Sequence, residues 1–234
     1  MVRTRPRAPA PANLLSKQQC WTDRWRAIHA QLRRGDWATS FAKKTLREAL
    51  SPLTHGKCAY CESTLGVTTG LEIEHYVAKS VALDLAFEWT NLLPACHECN
   101  TAKGEFDHRN AVLKPDDEDP ELHFWINMAT GELEANPTLD EPSRRRAEET
   151  IRVLNLQRGG LCNNRVLLMQ RMRRWLERAS RAGRLSPRLQ EEWEELVHPA
   201  AEYKLVLRWL LELHGESELA DEDRRRFQAP TIRR

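Results

Sequence analysis

The sequence predicts a mixed α+β fold, in which a small core of two strands and one helix, clipped by zinc, is embedded in a mainly helical protein. Two pairs of cysteines lie in the segment 57–110, whose short alternating runs are typical of strands. Before and after this segment the apolar residues recur every three or four positions, which is typical of amphipathic helices. The 234 residues suffice for one substantial core, or for a core with a small satellite.

Composition excludes several classes of protein. Charged residues make up 30% and the formal net charge is only +2, so overall charge does not indicate nucleic-acid binding. Local runs such as "SRRRAEE" and "PDDEDPE" are most often solvated faces. The chain has no apolar stretch of about 18 residues that would predict a membrane span. "MVRTRPRAPAPANLL" lacks the apolar region of a secretory signal. Six cysteines without such a signal favour a reducing cytoplasm, where paired cysteines more often bind metal than form disulfides.

The N-terminal quarter is predicted to contain an arm and two helices. Residues 1–12 are rich in Pro, Ala and Arg, which predicts a disordered basic arm. Residues 13–56 are predicted to be helical, because apolar residues recur at helical spacing. The first of these helices carries Trp21, Trp25, Ile28 and Leu32. "WATSFAKKTLREAL" predicts the second, which Pro52 ends.

The region after the cysteines is predicted to be a hairpin or linker followed by helices. Residues 111–139 contain "ELHFWINMATGELEAN", with a Thr-Gly pair near the expected turn. Residues 140–215 carry apolar stripes at helical spacing, and Asp140 is a candidate N-cap. The polar residues 216–234 are predicted to form a tail that frays.

The two cysteine pairs have the spacing of zinc knuckles. Cys58-x-x-Cys61 and Cys96-x-x-Cys99 are separated by the 34 residues 62–95. Two such knuckles supply four thiolates, which suits tetrahedral Zn²⁺ and leaves no open position for a substrate. We therefore predict a structural zinc that holds the segment between the knuckles together.

The cysteine pairs have two other interpretations besides zinc binding. Two unrelated buried pairs or a redox dithiol would explain one pair, but two pairs flanking one compact segment favour metal. His97 lies inside the second knuckle and is an alternative ligand, although four sulfur atoms are already present. Cys20 and Cys162 have no partner at ligand spacing and are predicted to be core thiols.

Glu74 and His75 stand side by side at the end of the alternating run "LEIEHYV". Consecutive side chains on a regular strand point to opposite faces, so both serve one site only if the backbone bends there. Asn91 precedes the second knuckle and Asn100 directly follows Cys99. Hydrolysis of a phosphodiester needs such groups, because a histidine can take a proton from water and oxygen ligands hold a hard divalent ion. The alternative is that His75 is a core histidine and Asn100 a helix cap.

The motifs "KCAYCE", "EIEHYVAKS" and "WTNLLPACHECNTAKG" together resemble the HNH endonuclease family in its zinc-containing ββα-metal form. With the long helical C-terminal half, they are similar to the PtuB-type HNH proteins, the nucleases of Septu and related retron-associated antiphage defence systems. The motif resemblance covers about residues 57–106. A weaker resemblance extends to "TIRVLNLQRGGLCNNR", which follows the motif.

The resemblance implies a role for each matching residue. His75 corresponds to the general base, and Asn91 to the asparagine that braces the loop carrying it. Asn100 occupies the third position of the motif and would bind a catalytic Mg²⁺ or Mn²⁺. Glu74 stands where many members have aspartate and would be a second ligand of that metal. Lys79 and Lys103 would contact phosphate.

One departure from the family pattern concerns the turn after the histidine. Ala78 replaces the proline expected in "EHYVAKS", which predicts a looser turn. The resemblance further implies a PtuA-like ATPase partner, which nothing in the composition indicates.

The sequence thus predicts a metal-dependent HNH endonuclease, acting on nucleic acid and with DNA as the expected substrate, in an antiphage defence complex. The alternative is a zinc-stabilised module that binds nucleic acid or serves as a scaffold without catalysis. The pair Glu74 and His75, together with Asn100, distinguishes the two, because a binding module needs no general base beside a carboxylate.

Overall fold

The fold is mainly helical with two small sheets, as predicted. The computed structural model describes residues 7–30, 37–38, 40–66, 70–182 and 186–228. The helices in these residues are α1 (Ala12–Ala30), α2 (Ser40–Leu50), α3 (His97–Lys103), α4 (Pro120–His123), α5 (Glu141–Val153), α6 (Gly159–Ala182), α7 (Pro187–Val197), α8 (Lys204–Leu213) and α9 (Ser217–Gln228). The strands are β1 (Glu72–His75), β2 (Leu92–Ala95), β3 (Phe124–Ile126) and β4 (Leu133–Ala135).

Strands β1 and β2 pair in antiparallel register, and α3 follows β2 almost at once. Glu72 lies opposite Ala95 and His75 opposite Leu92. Pro94 fits into β2 because a two-stranded sheet leaves one edge of each strand unpaired, so its missing N–H costs no ladder bond. The carbonyl of Pro94 instead accepts a hydrogen bond from the backbone N–H of Ala59 at 2.9 Å. The first cysteine knuckle is thereby joined to the second strand.

The β1–β2 sheet lies between two hydrophobic cores. Leu92 belongs to a core with α1 and α2, whereas the next residue, Leu93, belongs to a larger core with the helices α5 to α9. This division follows from the alternation of side chains along a strand. The larger core also contains the four paired cysteines, so the cysteine-bearing segment and the C-terminal helices bury one common interior. The domain boundaries drawn from the sequence stay a prediction.

The hairpin and the cap predicted after the cysteines are both present. Strands β3 and β4 pair in antiparallel register, and Gly131 lies between them with φ of +72°. A Cβ at Gly131 would collide with the carbonyl oxygen of Cys162, so both the turn and the packing of α6 require glycine. The Asp140 side chain accepts a hydrogen bond from the backbone N–H of Ser143 and caps α5.

The prediction of a disordered arm over residues 1–12 is wrong for residues 7–12; residues 1–6 lie outside the described part. The Arg7 guanidinium forms an ion pair with Asp116 at 2.6 Å and donates to the carbonyl of Trp89 at 2.6 Å. The indole of Trp89 in turn donates to the Ala8 carbonyl at 2.9 Å. Composition could not indicate this, because the partners lie about eighty or more positions further along the chain.

The polar tail predicted from residue 216 is wrong for residues 217–228, which form α9. Ala220 and Asp223 of this helix are buried. The Asp223 carboxylate pairs with Lys204 at 2.5 Å and with Arg208 at 2.7 Å, both on α8. The charge of Asp223 therefore takes part in ion pairs with α8, and it does not indicate a frayed tail. Residues 229–234 lie outside the described residues, and none of the described helices has the length and apolarity to cross a membrane.

The contacts of Arg7 predict that Arg7→Ala lowers the free energy of unfolding by about 1–3 kcal/mol, because among the described residues Asp116 would keep only the more distant Lys114 as an ion-pair partner. Urea denaturation measures this loss. Arg24→Ala on α1 is a matched control, since Arg24 is exposed and its loss should change stability little. Equal stability of the two variants would contradict the packing of the arm.

Candidate metal centre and adjoining cleft

The four cysteines of the two knuckles form one buried cluster. Their sulfur atoms all lie within 4.8 Å of one another, and the Sγ atoms of Cys61 and Cys96 are 3.7 Å apart. Four thiolates about 2.3 Å from a tetrahedral Zn²⁺ would be about 3.8 Å from each other, whereas a disulfide would bring two sulfurs to about 2.0 Å. The cluster therefore fits a tetrahedral zinc ion and does not fit a disulfide.

Local backbone geometry aims the thiols at one point. In the first knuckle the N–H of Glu62 donates to the Cys58 carbonyl at 3.0 Å, and Glu62 adopts a positive φ of 66°. In the second knuckle Cys96 is the N-cap of α3, whose first turn carries Cys99. The Asn100 N–H donates to the Cys96 carbonyl at 3.0 Å. Each turn thus places two sulfurs on the same side of the chain.

Arg158 ties the cluster to the C-terminal helices. Its guanidinium lies 3.5 Å from the sulfur of Cys99 and 3.8 Å from that of Cys96. Burial opposes the charge on Arg158, but the nearby thiolates prevail and raise its pKa above the ordinary value. A guanidinium in this position offsets part of the negative charge that four thiolates would leave on a zinc complex.

A cleft of about 210 Å³ opens beside the sheet, at the end of β1. Glu74, His75, Lys79, Asn100 and Lys103 all contribute to its lining. The structure therefore brings together five of the six residues that the sequence analysis assigned to catalysis or phosphate binding. Asn91 is absent from the lining and is buried behind it.

His75 is held in one orientation at the edge of the cleft. Its Nε2 atom lies 3.0 Å from the carbonyl oxygen of Ala86, and Trp37 meets the imidazole edge to face at 4.6 Å between ring centroids. A carbonyl only accepts hydrogen bonds, so Nε2 carries the proton and Nδ1 carries the lone pair. Burial, and then the charge of Lys79, lower the pKa of His75 to about 3, although the bond to Ala86 opposes this. The imidazole is neutral at pH 7.

Glu74 forms a buried ion pair with Lys103. Its Oε1 atom lies 2.7 Å from Lys103 Nζ and also accepts a hydrogen bond from the hydroxyl of Tyr60 at 3.3 Å. Burial raises the pKa of Glu74 above its ordinary value, while the charge of Lys103 acts in the opposite direction. The Lys103 ammonium also donates to the His75 carbonyl at 2.9 Å, so one cation joins α3 to the end of β1.

Asn100 and Glu72 form a second polar pair between α3 and β1. The amide nitrogen of Asn100 donates to a carboxylate oxygen of Glu72 at 2.6 Å, which leaves the Asn100 carbonyl oxygen as the atom that can ligate a metal. The other Glu72 oxygen lies 2.9 Å from Nδ1 of His97. His97 is largely exposed, with a hydrogen bond to Glu72 that raises its pKa, and it is not part of the cysteine cluster.

Asn91 holds the turn that follows His75. Its Oδ1 atom accepts from the N–H of Val77 at 2.8 Å, and its amide nitrogen donates to the carbonyls of Val77 and Leu85 at 3.0 Å each. These bonds connect the turn after His75 to the segment whose Ala86 carbonyl contacts the imidazole. The contacts are those that a brace would make; the role of Asn91 in catalysis stays a prediction.

The two lysines predicted to contact phosphate differ in their surroundings. Lys79 is part-exposed, and its ammonium lies 3.8 Å from a carboxylate oxygen of Glu105 at the rim of the cleft. Lys103 is buried and forms an ion pair with Glu74. Of the two, Lys79 has the exposure that contact with a phosphate requires.

Sequence reasoning missed several groups near the cysteine cluster and the cleft. Glu72 could have been found, because it precedes Glu74 by two positions and therefore shares its strand face. Arg158 lies within "LQRGG", which belongs to the segment noted after the motif. The contact of Trp37 with His75 left no local signal. Cys20, predicted to be a core thiol, is exposed, whereas Cys162 is buried as predicted.

Comparison with known proteins identifies the same part of the chain. Residues 58–106, which hold the cysteine cluster and the cleft, match the HNH endonuclease family, so the chain carries an HNH endonuclease domain. The chain is also similar to two proteins named Septu protein PtuB. The first, from Bacillus thuringiensis, is 30% identical over 105 residues, which cover 43% of this chain and 41% of the relative. The second, from Bacillus mycoides (strain KBAB4), is 27% identical over 157 residues, which cover 54% of this chain and 51% of the relative.

The chain spans about half the length of the curated relatives it matches. Both resemblances inferred from the sequence, to HNH endonucleases and to PtuB, are confirmed. They do not assign a role to any individual residue of the cleft.

The donor atoms of the cleft fit a hard divalent cation in type. The Asn100 carbonyl oxygen and the Glu74 carboxylate are oxygen ligands of the kind that Mg²⁺ and Mn²⁺ prefer. Lys103, however, already supplies a positive charge to Glu74. The cleft therefore offers suitable oxygen ligands. Its negative charge is smaller than that of a site with two unpaired carboxylates, because Lys103 neutralises Glu74.

The cysteine cluster predicts that Cys99→Ser loses its bound zinc and unfolds at a lower temperature. Structural zinc contributes about 10–16 kcal/mol of apparent binding energy in small domains, and this core depends on four thiolates. Elemental analysis of protein purified without chelator measures the zinc content, with one Zn²⁺ per chain expected for the wild type. The exposed Cys20→Ser is the control and should keep that zinc. Full zinc content in Cys99→Ser would contradict the assignment.

The ion pair in the cleft predicts a non-additive effect on stability. Lys103→Met leaves the Glu74 carboxylate buried without its cation, which should cost about 3–5 kcal/mol in the free energy of unfolding. Glu74→Gln in the same chain should recover most of this loss, because no buried charge then remains. Urea denaturation of the two single variants and the double variant measures the coupling, with the exposed Lys44→Met as control. Additive losses would show that the two side chains are not paired.

Proposed function

We propose that this chain is a metal-dependent HNH endonuclease that hydrolyses phosphodiester bonds of nucleic acid, with DNA as the expected substrate. The observation that carries the proposal is the position of His75. Its imidazole is neutral and is oriented by the Ala86 carbonyl, and the residue lines a cleft together with Glu74 and Asn100, whose side chains carry oxygen ligands. The match to HNH endonucleases over residues 58–106 supports the same reaction class.

In this proposal His75 is the general base. Its Nδ1 lone pair takes a proton from a water molecule as that water attacks phosphorus. The hydrogen bond from Nε2 to the Ala86 carbonyl fixes the ring and stabilises the imidazolium that results. A pKa of about 3 makes His75 a weak base in the free protein. A bound phosphodiester raises that pKa, because its negative charge favours the protonated imidazole.

The remaining groups position the base and the substrate. Asn91 holds the turn after His75 through three hydrogen bonds, so its loss should misplace the imidazole. Lys79 contacts a phosphate oxygen at the rim of the cleft. Glu74 and Asn100 would hold Mg²⁺ or Mn²⁺, which when bound neutralises charge on the phosphate and on the leaving oxygen.

The similarity to proteins named Septu protein PtuB supports a role in antiphage defence. The chain would act as the nuclease of a defence complex together with a PtuA-like ATPase. We expect this complex in the cytoplasm, where a reducing environment keeps the four zinc-binding thiols available.

A second candidate function is a zinc-stabilised module that binds nucleic acid or a partner without cutting. One observation favours it, namely the ion pair of Glu74 with Lys103, which reduces the charge available to a catalytic cation. The two functions differ in what His75 contributes, because a binding module needs no general base.

Replacement of His75 decides between the two functions. We expect His75→Ala to lower the cleavage rate of plasmid DNA by about 10²–10⁴-fold in Mg²⁺ or Mn²⁺, the size expected when a general base is lost. The assay uses the full chain with and without the ATPase partner. Zinc content should be unchanged, because His75 is not in the cysteine cluster.

His214→Ala is the matched control for this substitution, since His214 is exposed at the end of α8 and should be dispensable for cleavage. Cleavage by His75→Ala at the rate of the control would refute the role of His75. Absence of cleavage by the wild type with the partner present would favour the binding module.

A further inference from the structure

A phenylalanine beside the cleft is left in solvent. The side chain of Phe106 is 74% exposed, the largest value among the exposed large apolar residues in the described part of the chain. It belongs to neither hydrophobic core and is not packed against either. Exposure of an aromatic ring forgoes the burial energy that such a side chain usually contributes. A ring left in water next to a candidate active site is therefore accessible to a bound ligand.

Although it is exposed, the ring has defined neighbours at the end of α3. A Cβ on Gly104 would lie 3.7 Å from the Phe106 ring, so the bare backbone of this glycine lies close under it. The imidazole of His108 meets the ring edge to face at 6.1 Å between centroids. His108 is itself anchored, with Nε2 3.1 Å from the carbonyl oxygen of Lys103, the last residue of α3.

The ring is next to the atoms proposed to act on phosphate. Gly104 and Glu105, which precede Phe106, both line the cleft that contains His75. Glu105 lies 3.8 Å from the ammonium of Lys79, the part-exposed lysine of the same rim. A phosphodiester in the cleft would thus have a cation on its rim and an aromatic face one residue beyond it.

We propose that Phe106 stacks against an unpaired nucleobase next to the scissile phosphate, so that the enzyme prefers strands in which that base is free of its duplex partner. The proposal rests on the function proposed above. An aromatic ring can stack on any base, because every base has a π face, which makes the contact tolerant of sequence. The ring reaches such a face only when the base has left its own stack. A single strand, a mismatch or a frayed end supplies such a base.

An oligonucleotide that carries 2-aminopurine tests the contact, since stacking against an aromatic ring quenches the fluorescence of this base. The full chain with His75→Ala binds without cutting and is titrated with a single-stranded oligonucleotide and with the same oligonucleotide in a duplex. Phe106→Leu removes the π face and keeps an apolar side chain. Phe106→Trp restores a π face. Trp125→Leu removes an exposed aromatic on β3 and is the matched control.

The proposal predicts quenching with the single strand and weaker quenching with the duplex. Phe106→Leu should lose the quenching and about tenfold or more in affinity for the single strand, the size expected for one stacked base. Phe106→Trp should restore both, and Trp125→Leu should behave like the parent. In chains with His75 intact, Phe106→Leu should also lose the preference for mismatched over fully paired DNA.

Several results would overturn the proposal. Unchanged affinity and quenching in Phe106→Leu, while the wild type still cleaves DNA, would remove the role of the ring and leave the nuclease function in place. Loss of a protein partner from Phe106→Leu, with oligonucleotide binding unchanged, would assign the ring to a protein interface. Failure of the wild type to cleave any nucleic acid would instead reject the nuclease function on which the proposal rests.

Discussion

The convergence of four cysteine sulfurs within 4.8 Å is the constraint on which the rest of this structure depends. It joins two knuckles that are separated by 34 residues, 62–95, and so closes the segment that contains both β1 and β2. Because Cys99 lies in the first turn of α3, the same cluster fixes where α3 starts relative to the sheet. Asn100 and Lys103 are carried on that helix. The cleft is thus shaped by a centre whose own ligands take no part in it.

Charge within the cleft is balanced by protein groups. Lys103 pairs with Glu74 and also donates to the carbonyl of His75, so a single buried cation holds the helix against the end of the strand. This arrangement stabilises the cleft in the free protein. It also means that a divalent cation on Glu74 would share that carboxylate with an ammonium group. In the proposed function, the balance between these two cations decides whether the cleft can hold a catalytic metal.

Local patterns predicted the features that depend on a few neighbouring residues. The cysteine spacing, the alternation before His75, the cap at Asp140 and the helical stripes all gave the correct element or contact. Features that depend on distant partners were missed or wrong. Arg7 is ordered by Asp116 and by a carbonyl of Trp89, and α9 is held by the pairing of Asp223 with α8, neither of which composition records. The burial that lowers the pKa of His75 to about 3 likewise arises from tertiary packing.

We propose that the cleft beside the cysteine cluster binds a second, catalytic cation next to His75. A crystal structure of the His75→Ala chain with an oligonucleotide and Mn²⁺, with anomalous scattering measured at the zinc and manganese edges, tests it most directly. We expect zinc among Cys58, Cys61, Cys96 and Cys99, and manganese bound by Glu74 and Asn100 next to a phosphate. Zinc in the cysteine cluster with no manganese at the cleft, while the oligonucleotide is bound there, would contradict it.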